Sequence, residues 1–200
     1  MEKIPPILRH VPEELMGERV IVRPWRTCDA QDVWEAIEES REQIREWLPW
    51  VDATKRVEDC METSRRAMAR WITRDDLGLL VRERSTGRYL GGSGLHRIDW
   101  EVPSFEIGYW LRTSAQGQGY MTEAVALIMR MAFDSLGAKR VCIHCSSGNE
   151  RSAAVARRLG FIHEGTLRNH ARETDGELRD TLIFALTPED YAGVEMPQTR

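Results

Sequence analysis

Apolar positions along the chain recur in two patterns, one typical of strands and one typical of helices. Short apolar runs predict strands over residues 19–23, 77–84, 89–98, 105–111, 139–145, 161–168 and 179–186. Apolar residues at helical spacing predict a helical region from Asp29, the expected cap, to Pro49, and helices over residues 57–73, 119–136 and 150–159. Gly87 marks a hairpin turn, and Asp175-Gly176 marks the turn between the last two strands.

The resulting order of elements is β-α-α-β-β-β-α-β-α-β-β. This order predicts the α/β class, with a mixed sheet and helices on both faces. Only the two strand-helix-strand passages in the second half call for parallel neighbours. The length of 200 residues favours a single domain over residues 1–200, with a core over about residues 17–187 and irregular ends.

Composition and charge exclude several classes of partner. Hydrophobic residues make up 42% and charged residues 30% of the chain, as in ordinary soluble globular proteins. The formal net charge of -4 argues against nucleic acids and anionic membranes as partners, because basic surfaces bind both. No apolar run approaches the roughly 20 residues of a membrane span, and the N-terminus lacks the apolar core of a signal peptide. We therefore expect a cytoplasmic protein.

The cysteines Cys28, Cys60, Cys142 and Cys145 show no disulfide-framework spacing. Cys142 and Cys145 flank His144, which is a composition found in metal and redox sites. In a strand, however, side chains alternate between faces, so the two thiols point to opposite sides. We therefore expect no metal, and we expect these cysteines to act as buried small hydrophobic residues.

The strongest chemical signal is the turn from Gln116 to Thr122, between a predicted strand and a predicted helix. The start of a helix offers unpaired backbone N–H groups, and glycines let the main chain approach an anion closely. A dinucleotide fingerprint would need a third glycine where Thr122 stands, and a P-loop would need a Gly-Lys-Ser/Thr that is absent. Two interpretations of this segment remain, a phosphate-binding turn and a glycine turn with a purely structural role.

The residues Gln116-x-x-Gly119-x-Met121 resemble the Gln/Arg-x-x-Gly-x-Gly/Ala signature of the GNAT superfamily of acetyltransferases. Met121 departs from the general signature in the way typical of the RimJ/RimL branch of ribosomal-protein N-terminal acetyltransferases. Further matches to that branch are Glu106–Leu111, Asn149-x-x-Ser152, Arg158–Phe161 and Glu164–Arg168. The resemblance extends from about Gly17 to Leu186 and is most specific from Glu106 onward.

This resemblance implies the GNAT fold, with a mostly antiparallel sheet in which two strands splay apart to receive acetyl-CoA. The pantetheine arm would lie in that gap, and the diphosphate would bind the glycine turn. Asn149 would hydrogen-bond the pantetheine amide, or alternatively cap its helix. The expected cofactor-binding residues are Trp110, Leu111, Arg112, Gln116, Gly117, Gln118, Gly119, Tyr120, Met121, Thr122 and Asn149.

Acetyl transfer to an amine needs three roles, namely a general base, a proton donor to the sulfur and a group that stabilises the oxyanion. Glu106 is the first candidate for the general base and His170 is the second, with a solvated or ion-paired carboxylate and a surface imidazole as the alternatives. Ser152 is the candidate proton donor to the departing sulfur, or else a residue that caps or packs the helix start. A backbone N–H near Trp110 or Leu111 would stabilise the oxyanion. His144 is expected to have no catalytic duty.

The acceptor is expected to be a primary amine, such as a protein N-terminus. Its α-amine has a pKa of about 7.7 to 8.0 and needs less help than a lysine near 10.4. An antibiotic, a polyamine or an aminoacyl nucleotide is an alternative acceptor, and a catalytically silent CoA-binding module is an alternative function. The aromatic run from Trp47 to Trp50 would line the acceptor groove or pack in the core. A homodimer is possible on the general ground that dimers are the commonest oligomers.

Overall fold

The computed structural model describes residues 4–172 and 176–194, so Asp175 of the predicted last turn lies outside the described residues. The strands are β1 (Leu15–Met16), β2 (Val20–Pro24), β3 (Leu77–Glu83), β4 (Tyr89–Asp99), β5 (Ser104–Leu111), β6 (Arg140–Ser146), β7 (Ile162–Arg172) and β8 (Leu178–Leu186). The helices are α1 (Ala30–Ile44), α2 (Val57–Thr73), α3 (Tyr120–Arg130), α4 (Glu150–Arg158) and α5 (Pro188–Ala192). Helix α3 continues as a π turn over Met131–Ser135.

The strands form one mixed sheet in the order β1-β2-β3-β4-β5-β6-β8-β7. In the described part of the chain, β5 and β6 run parallel and the other neighbouring strands run antiparallel. The mixed, mostly antiparallel sheet is therefore confirmed. The expectation of a second parallel pair is wrong, because β8 folds back between β6 and β7 and pairs with both.

Helices cover both faces of the sheet, as predicted. Alternating residues of β3 point to opposite faces of the sheet. Leu79 and Val81 belong to the buried cluster that includes α3, whereas Leu80 belongs to the cluster that includes α1 and part of α2. None of the described helices is long and apolar enough to cross a membrane. Each face of the sheet thus carries its own buried cluster.

Asp29 does not act as expected. It occupies the N-cap position of α1, but its carboxylate makes no capping hydrogen bond there. Instead, the buried carboxylate accepts from Nη2 of Arg23 at 2.6 Å and from Nη2 of Arg82 at 2.7 Å. Asp29 therefore ties α1 to strands β2 and β3.

Strands β5 and β6 pair over only three residues of each strand. The last pair joins Glu106 to Cys142, and beyond it β5 continues to Leu111 alongside β4 alone. Strand β6 continues to Ser146 alongside β8. The two strands therefore diverge, as expected for a splayed pair, and leave a gap in the middle of the sheet.

Candidate active site

The gap between β5 and β6 opens into a cleft of about 1690 Å³. Its walls come from the diverging strands, the turn before α3, the start of α4 and the segment after α1. Glu106, Ser152 and His170 all line this one cleft. The structure therefore brings the three candidate catalytic residues to the same cavity as the glycine turn.

The glycine turn has the geometry of an anion site. Gly117 and Gly119 have φ angles of +75° and +81°, in the left-handed region that favours glycine. Helix α3 then starts at Tyr120 without a side-chain cap, and its first backbone bond runs from N of Glu123 to O of Gly119 at 3.1 Å. The N–H groups of the first turn therefore point out of the helix start, where an anion can accept from them.

Two arginines that the sequence patterns did not reveal support this turn. Arg19 donates from Nη1 to the carbonyl oxygen of Gln118 at 2.9 Å, and its Nε pairs with Glu123 at 3.0 Å. Arg151 donates from Nη1 to Oε1 of Gln116 at 2.8 Å. Both contacts join residues distant in sequence, so no local motif predicts them. They add positive charge where a diphosphate would bind.

Two expected cofactor-binding residues turn their side chains away from the cleft. Arg112 pairs with Glu39 of α1, and this hydrogen bond is the main reason that the pKa of Glu39 falls to about 2. Tyr120 donates from its hydroxyl to Oε1 of Glu83 at 2.8 Å. The other residues of the expected cofactor-binding set line the cleft, namely Trp110, Leu111, Gln116, Gly117, Gln118, Gly119, Met121, Thr122 and Asn149.

A pair of hydroxyl groups lies in the middle of the cleft. Ser152 donates from Oγ to the hydroxyl oxygen of Tyr109 at 3.1 Å, and Tyr109 donates to the carbonyl oxygen of Ser152 at 2.8 Å. Burial raises the pKa of Tyr109 well above its ordinary value, so this phenol stays protonated at neutral pH. Asn149 caps α4, since its Oδ1 accepts from N of Ser152 at 3.0 Å. The capping alternative for Asn149 is therefore present in the structure.

Glu106 lies where β5 and β6 part, with only 14% of its side chain exposed. Its carboxylate pairs with Arg97 and also, at 3.0 Å, with Nδ1 of His144. Burial raises the pKa of Glu106, but hydrogen bonds from His144 and Arg97 outweigh burial and bring the pKa below 4.5. A hydrogen bond with Cys142 and the pair with Glu106 raise the pKa of His144 to about 9. Glu106 is therefore an ion-pair partner, which was the alternative to its role as a base. The contact between Glu106 and His144 was not predicted from the sequence.

The remaining candidates surround the same opening. His170 lies on β7, with Nδ1 at 3.1 Å from Oγ1 of Thr181. Trp47 and Leu48 line the cleft, whereas Trp50 packs edge-on against Trp110 with ring centroids 5.9 Å apart. The aromatic run is therefore divided between the cleft wall and side-chain packing.

Comparison with known families assigns the chain. The family model described as "Acetyltransferase (GNAT) domain" matches residues 19–162, which is more than half of the chain. The protein belongs to the GNAT acetyltransferase family and is an N-acetyltransferase with acetyl-CoA as donor. The resemblance noted in the sequence is thereby confirmed.

Two individual proteins with similar sequences are named as ribosomal acetyltransferases. The chain is 29% identical over 182 residues to a Bacillus subtilis (strain 168) protein named "Putative ribosomal N-acetyltransferase YdaF", covering 89% of this chain and 96% of that one. It is 38% identical over 79 residues to the ribosomal-protein-serine acetyltransferase of Escherichia coli (strain K12), covering 40% and 44% of the two chains. Both similarities are consistent with the RimJ/RimL-type resemblance.

A solved structure shares the fold. The RimL ribosomal L7/L12 alpha-N-protein acetyltransferase in complex with coenzyme A superposes with a TM-score of 0.83 at 20% identity. The match covers 88% of this chain and 98% of the other. It confirms the GNAT fold, including the mixed sheet and the flanking helices.

Proposed function

We propose that this protein acetylates a primary amine, namely the α-amine at the N-terminus of a protein or peptide, by direct attack on the thioester of acetyl-CoA. The observation that carries the proposal is that one cleft joins the glycine turn, the Tyr109–Ser152 hydroxyl pair and the Glu106 carboxylate. These groups match the needs of the reaction, which are to hold the donor, protonate the departing sulfur and accept the amine proton.

The donor is held by main-chain groups. The first-turn N–H groups of α3 bind the diphosphate, with Arg19 and Arg151 adding charge beside them. The pantetheine arm then lies in the gap beside β5, where the strand has exposed main-chain groups. Two structurally similar proteins were solved in complex with coenzyme A and with acetyl-CoA, which supports acetyl-CoA as the donor that this chain binds.

The oxyanion is stabilised by a backbone N–H of β5. N of Arg112 donates to O of Leu90 at 2.8 Å, on the β4 side of the strand. Because N–H groups alternate in direction along a strand, the N–H of Leu111 faces the gap and the N–H of Trp110 faces β4. Leu111 is therefore our assignment for the donor that stabilises the carbonyl oxygen as charge builds on it.

The departing sulfur is protonated by Ser152. The amine nitrogen forms its bond to the carbonyl carbon, and collapse of the intermediate then breaks the carbon–sulfur bond. The electron pair of that bond leaves on sulfur, which takes the Oγ proton of Ser152. The Oγ–H of Ser152 turns from Tyr109 to the sulfur, while Tyr109 keeps its own hydrogen bond to the carbonyl oxygen of Ser152 and can donate no proton elsewhere. Solvent then restores the serine proton.

Glu106 accepts the proton that the amine loses. Burial raises its pKa, but the hydrogen bonds from His144 and Arg97 outweigh burial and lower it, so Glu106 is a weak base that suits an amine already neutral in part. The neutral fraction of an α-amine at pH 7 exceeds that of lysine by a factor on the order of 10². The names of the relatives, a ribosomal-protein-serine and a ribosomal-protein-alanine acetyltransferase, also favour a protein N-terminus as acceptor. His170 is the second candidate for the base.

The test is an acceptor screen read by mass spectrometry. Peptides with a free α-amine and no lysine are incubated with acetyl-CoA, beside the same peptides with a blocked α-amine and one added lysine. We expect an acetyl mass increase on the free α-amine peptides and little on the blocked ones. Acetylation confined to lysine or to small amines would contradict the α-amine assignment.

Two pairs of variants test the residue roles. Glu106→Gln should slow transfer by about 10²-fold, whereas Glu164→Gln, a matched change in an ion pair outside the cleft, should not. Ser152→Ala should also slow transfer, whereas Ser85→Ala, in the exposed β3–β4 hairpin turn, should not. CoA affinity should survive in all four variants. CoA binding with no turnover in the wild-type protein would instead indicate a silent CoA-binding module.

A further inference from the structure

Three side chains of different chemistry meet at the point where β5 and β6 part. Glu106 and Cys142 form the last parallel pair of the two strands. His144 follows Cys142 by two residues and therefore points to the same face of β6. A carboxylate, a thiol and an imidazole thus share one face of the sheet, although they come from two strands.

The ligand atoms of these side chains are close together. One carboxylate oxygen of Glu106, Sγ of Cys142 and one ring nitrogen of His144 all lie within 4.8 Å of one another. Atoms bound to one zinc ion at about 2.0–2.3 Å in a tetrahedron lie roughly 3.3–3.8 Å apart. The present separations therefore exceed that spacing by at most about 1.5 Å.

We propose that Glu106, Cys142 and His144 bind one zinc ion at the floor of the cleft, and that the bound ion suppresses acetyl transfer. The second half of this proposal rests on the proposed role of Glu106 as the base. Sulfur, nitrogen and oxygen donors together are typical of zinc, and three protein ligands leave a fourth position open. That position faces the cleft, because Glu106 and His144 both line it.

The site is accessible to an ion from solvent. The side chain of His144 is 29% exposed, and Cys142 is half-buried. Arg97 pairs with Glu106 but is 72% exposed, so it can swing into solvent when the ion enters. Cys145 is buried on the opposite face of β6 and contributes no ligand, as the alternation of side chains predicts. Glu106 takes its place, because the pairing of β5 with β6 brings its carboxylate alongside Cys142.

Metal binding is tested without any acceptor. Zinc is titrated into metal-free protein against a chromogenic chelator, and cobalt is titrated to detect the thiolate-to-cobalt charge-transfer band. Wild-type protein and Cys28→Ser, which removes an exposed thiol elsewhere, should bind one equivalent and show the band. Cys142→Ser should lose the band and at least about tenfold in zinc affinity. A band that persists in Cys142→Ser, or that disappears in Cys28→Ser, would overturn the site.

A second measurement uses the wild-type chain and so does not depend on a variant folding. Zinc should protect Cys142 from alkylation, read by peptide mass, while Cys28 stays reactive. Equal alkylation of Cys142 with and without zinc would also overturn the site.

Inhibition is then measured as the ratio of transfer rates with and without zinc, compared between wild type and Cys142→Ser. We expect zinc to inhibit the wild-type protein and to lose at least about tenfold in potency against the variant. Full transfer by zinc-saturated wild type would overturn the inhibitory role. If no acceptor is acetylated at all, the proposed function fails, and the binding experiments still decide the zinc site.

Discussion

Gly119→Val tests the glycine turn at the residue that opens α3. Gly119 has a φ of +81°, a conformation that costs a residue with a Cβ atom roughly 1–2 kcal/mol, and β-branched residues are the least tolerant of it. The added Cβ would also lie 3.3 Å from Nη2 of Arg19, a flexible end that can shift by a few tenths of an ångström. The backbone strain at residue 119 therefore costs more than the contact with Arg19. We expect the free energy of unfolding to fall by about 1–2 kcal/mol.

The effect on the cofactor should exceed the effect on the fold. A valine side chain at residue 119 stands beside the first-turn N–H groups, and any relaxation of its φ rotates the peptide that leads into them. Loss of one hydrogen bond to a charged phosphate costs about 1.5–3 kcal/mol. Because each 1.4 kcal/mol corresponds to about a tenfold change, the Kd for CoA should rise at least about tenfold. Calorimetric titration with CoA measures this change.

Gly87 offers a matched control for strain alone. It has a φ of +74° in the β3–β4 hairpin turn, and a Cβ there would meet nothing within 4 Å. Gly87→Val should therefore lose a similar amount of stability, measured by denaturant unfolding, and keep the wild-type affinity for CoA. If folded Gly119→Val binds CoA as tightly as Gly87→Val does, the diphosphate does not bind this turn.

Three further predictions concern the buried network and the hydroxyl pair. Asp29→Asn removes the carboxylate that pairs with buried Arg23 and one of the two carboxylates that pair with Arg82, so it should destabilise the fold by about 3–5 kcal/mol. Asp32→Asn, with a half-exposed side chain, should cost only about 0–1 kcal/mol in denaturant unfolding. Burial raises the pKa of Asp29, but hydrogen bonds from the arginines outweigh burial and lower the pKa below its ordinary value. The ionised carboxylate therefore stabilises the folded state above the ordinary pKa, and this stabilisation is lost as pH falls through the folded pKa. Acid unfolding of Asp29→Asn should accordingly show a weaker pH dependence, and an unchanged dependence would contradict the ion pairing. Tyr109→Phe should slow transfer about tenfold with unchanged CoA affinity, because Ser152 loses its hydroxyl partner, whereas Tyr191→Phe should leave kcat unchanged.

Most of the fold follows from local patterns in the sequence. The predicted helix over residues 57–73 matches α2, and the strand over 105–111 differs from β5 by one residue, because apolar spacing is a local property. The missed helix α5 had a local signal too. Thr187 and Asp190 form a capping box around Pro188, a pattern that predicts a helix start.

The missed parts of the site depend on contacts between distant residues. Arg19 and Gln118 are 99 positions apart, and no periodic pattern links them. Asp29 follows the preference of aspartate for helix starts, but the tertiary pairing with Arg23 takes over its carboxylate. His144 was expected to have no catalytic duty, but Cys142 on its own strand and Glu106 on another strand together raise its pKa to about 9. The contact with Glu106 depends on the pairing of β5 with β6, which no local pattern predicts.

The position of the cleft follows from the single parallel pair among the described strands. Two parallel neighbouring strands need a connection that runs back along the sheet. Helix α3 therefore begins near the carboxyl end of β5 and leads the chain back to the start of β6, beside β5. The glycine turn therefore lies at the same end of the sheet as the gap that opens after Glu106. From Glu106 to Leu111 the strand rises about 17 Å, which gives an extended cofactor arm a path from the turn toward the carboxylate. Tyr109 and Leu111 both lie on this path. The proposed order would then run from the diphosphate at the turn, through the thioester beside the Leu111 N–H and the Tyr109–Ser152 hydroxyl pair, to the acceptor amine at Glu106.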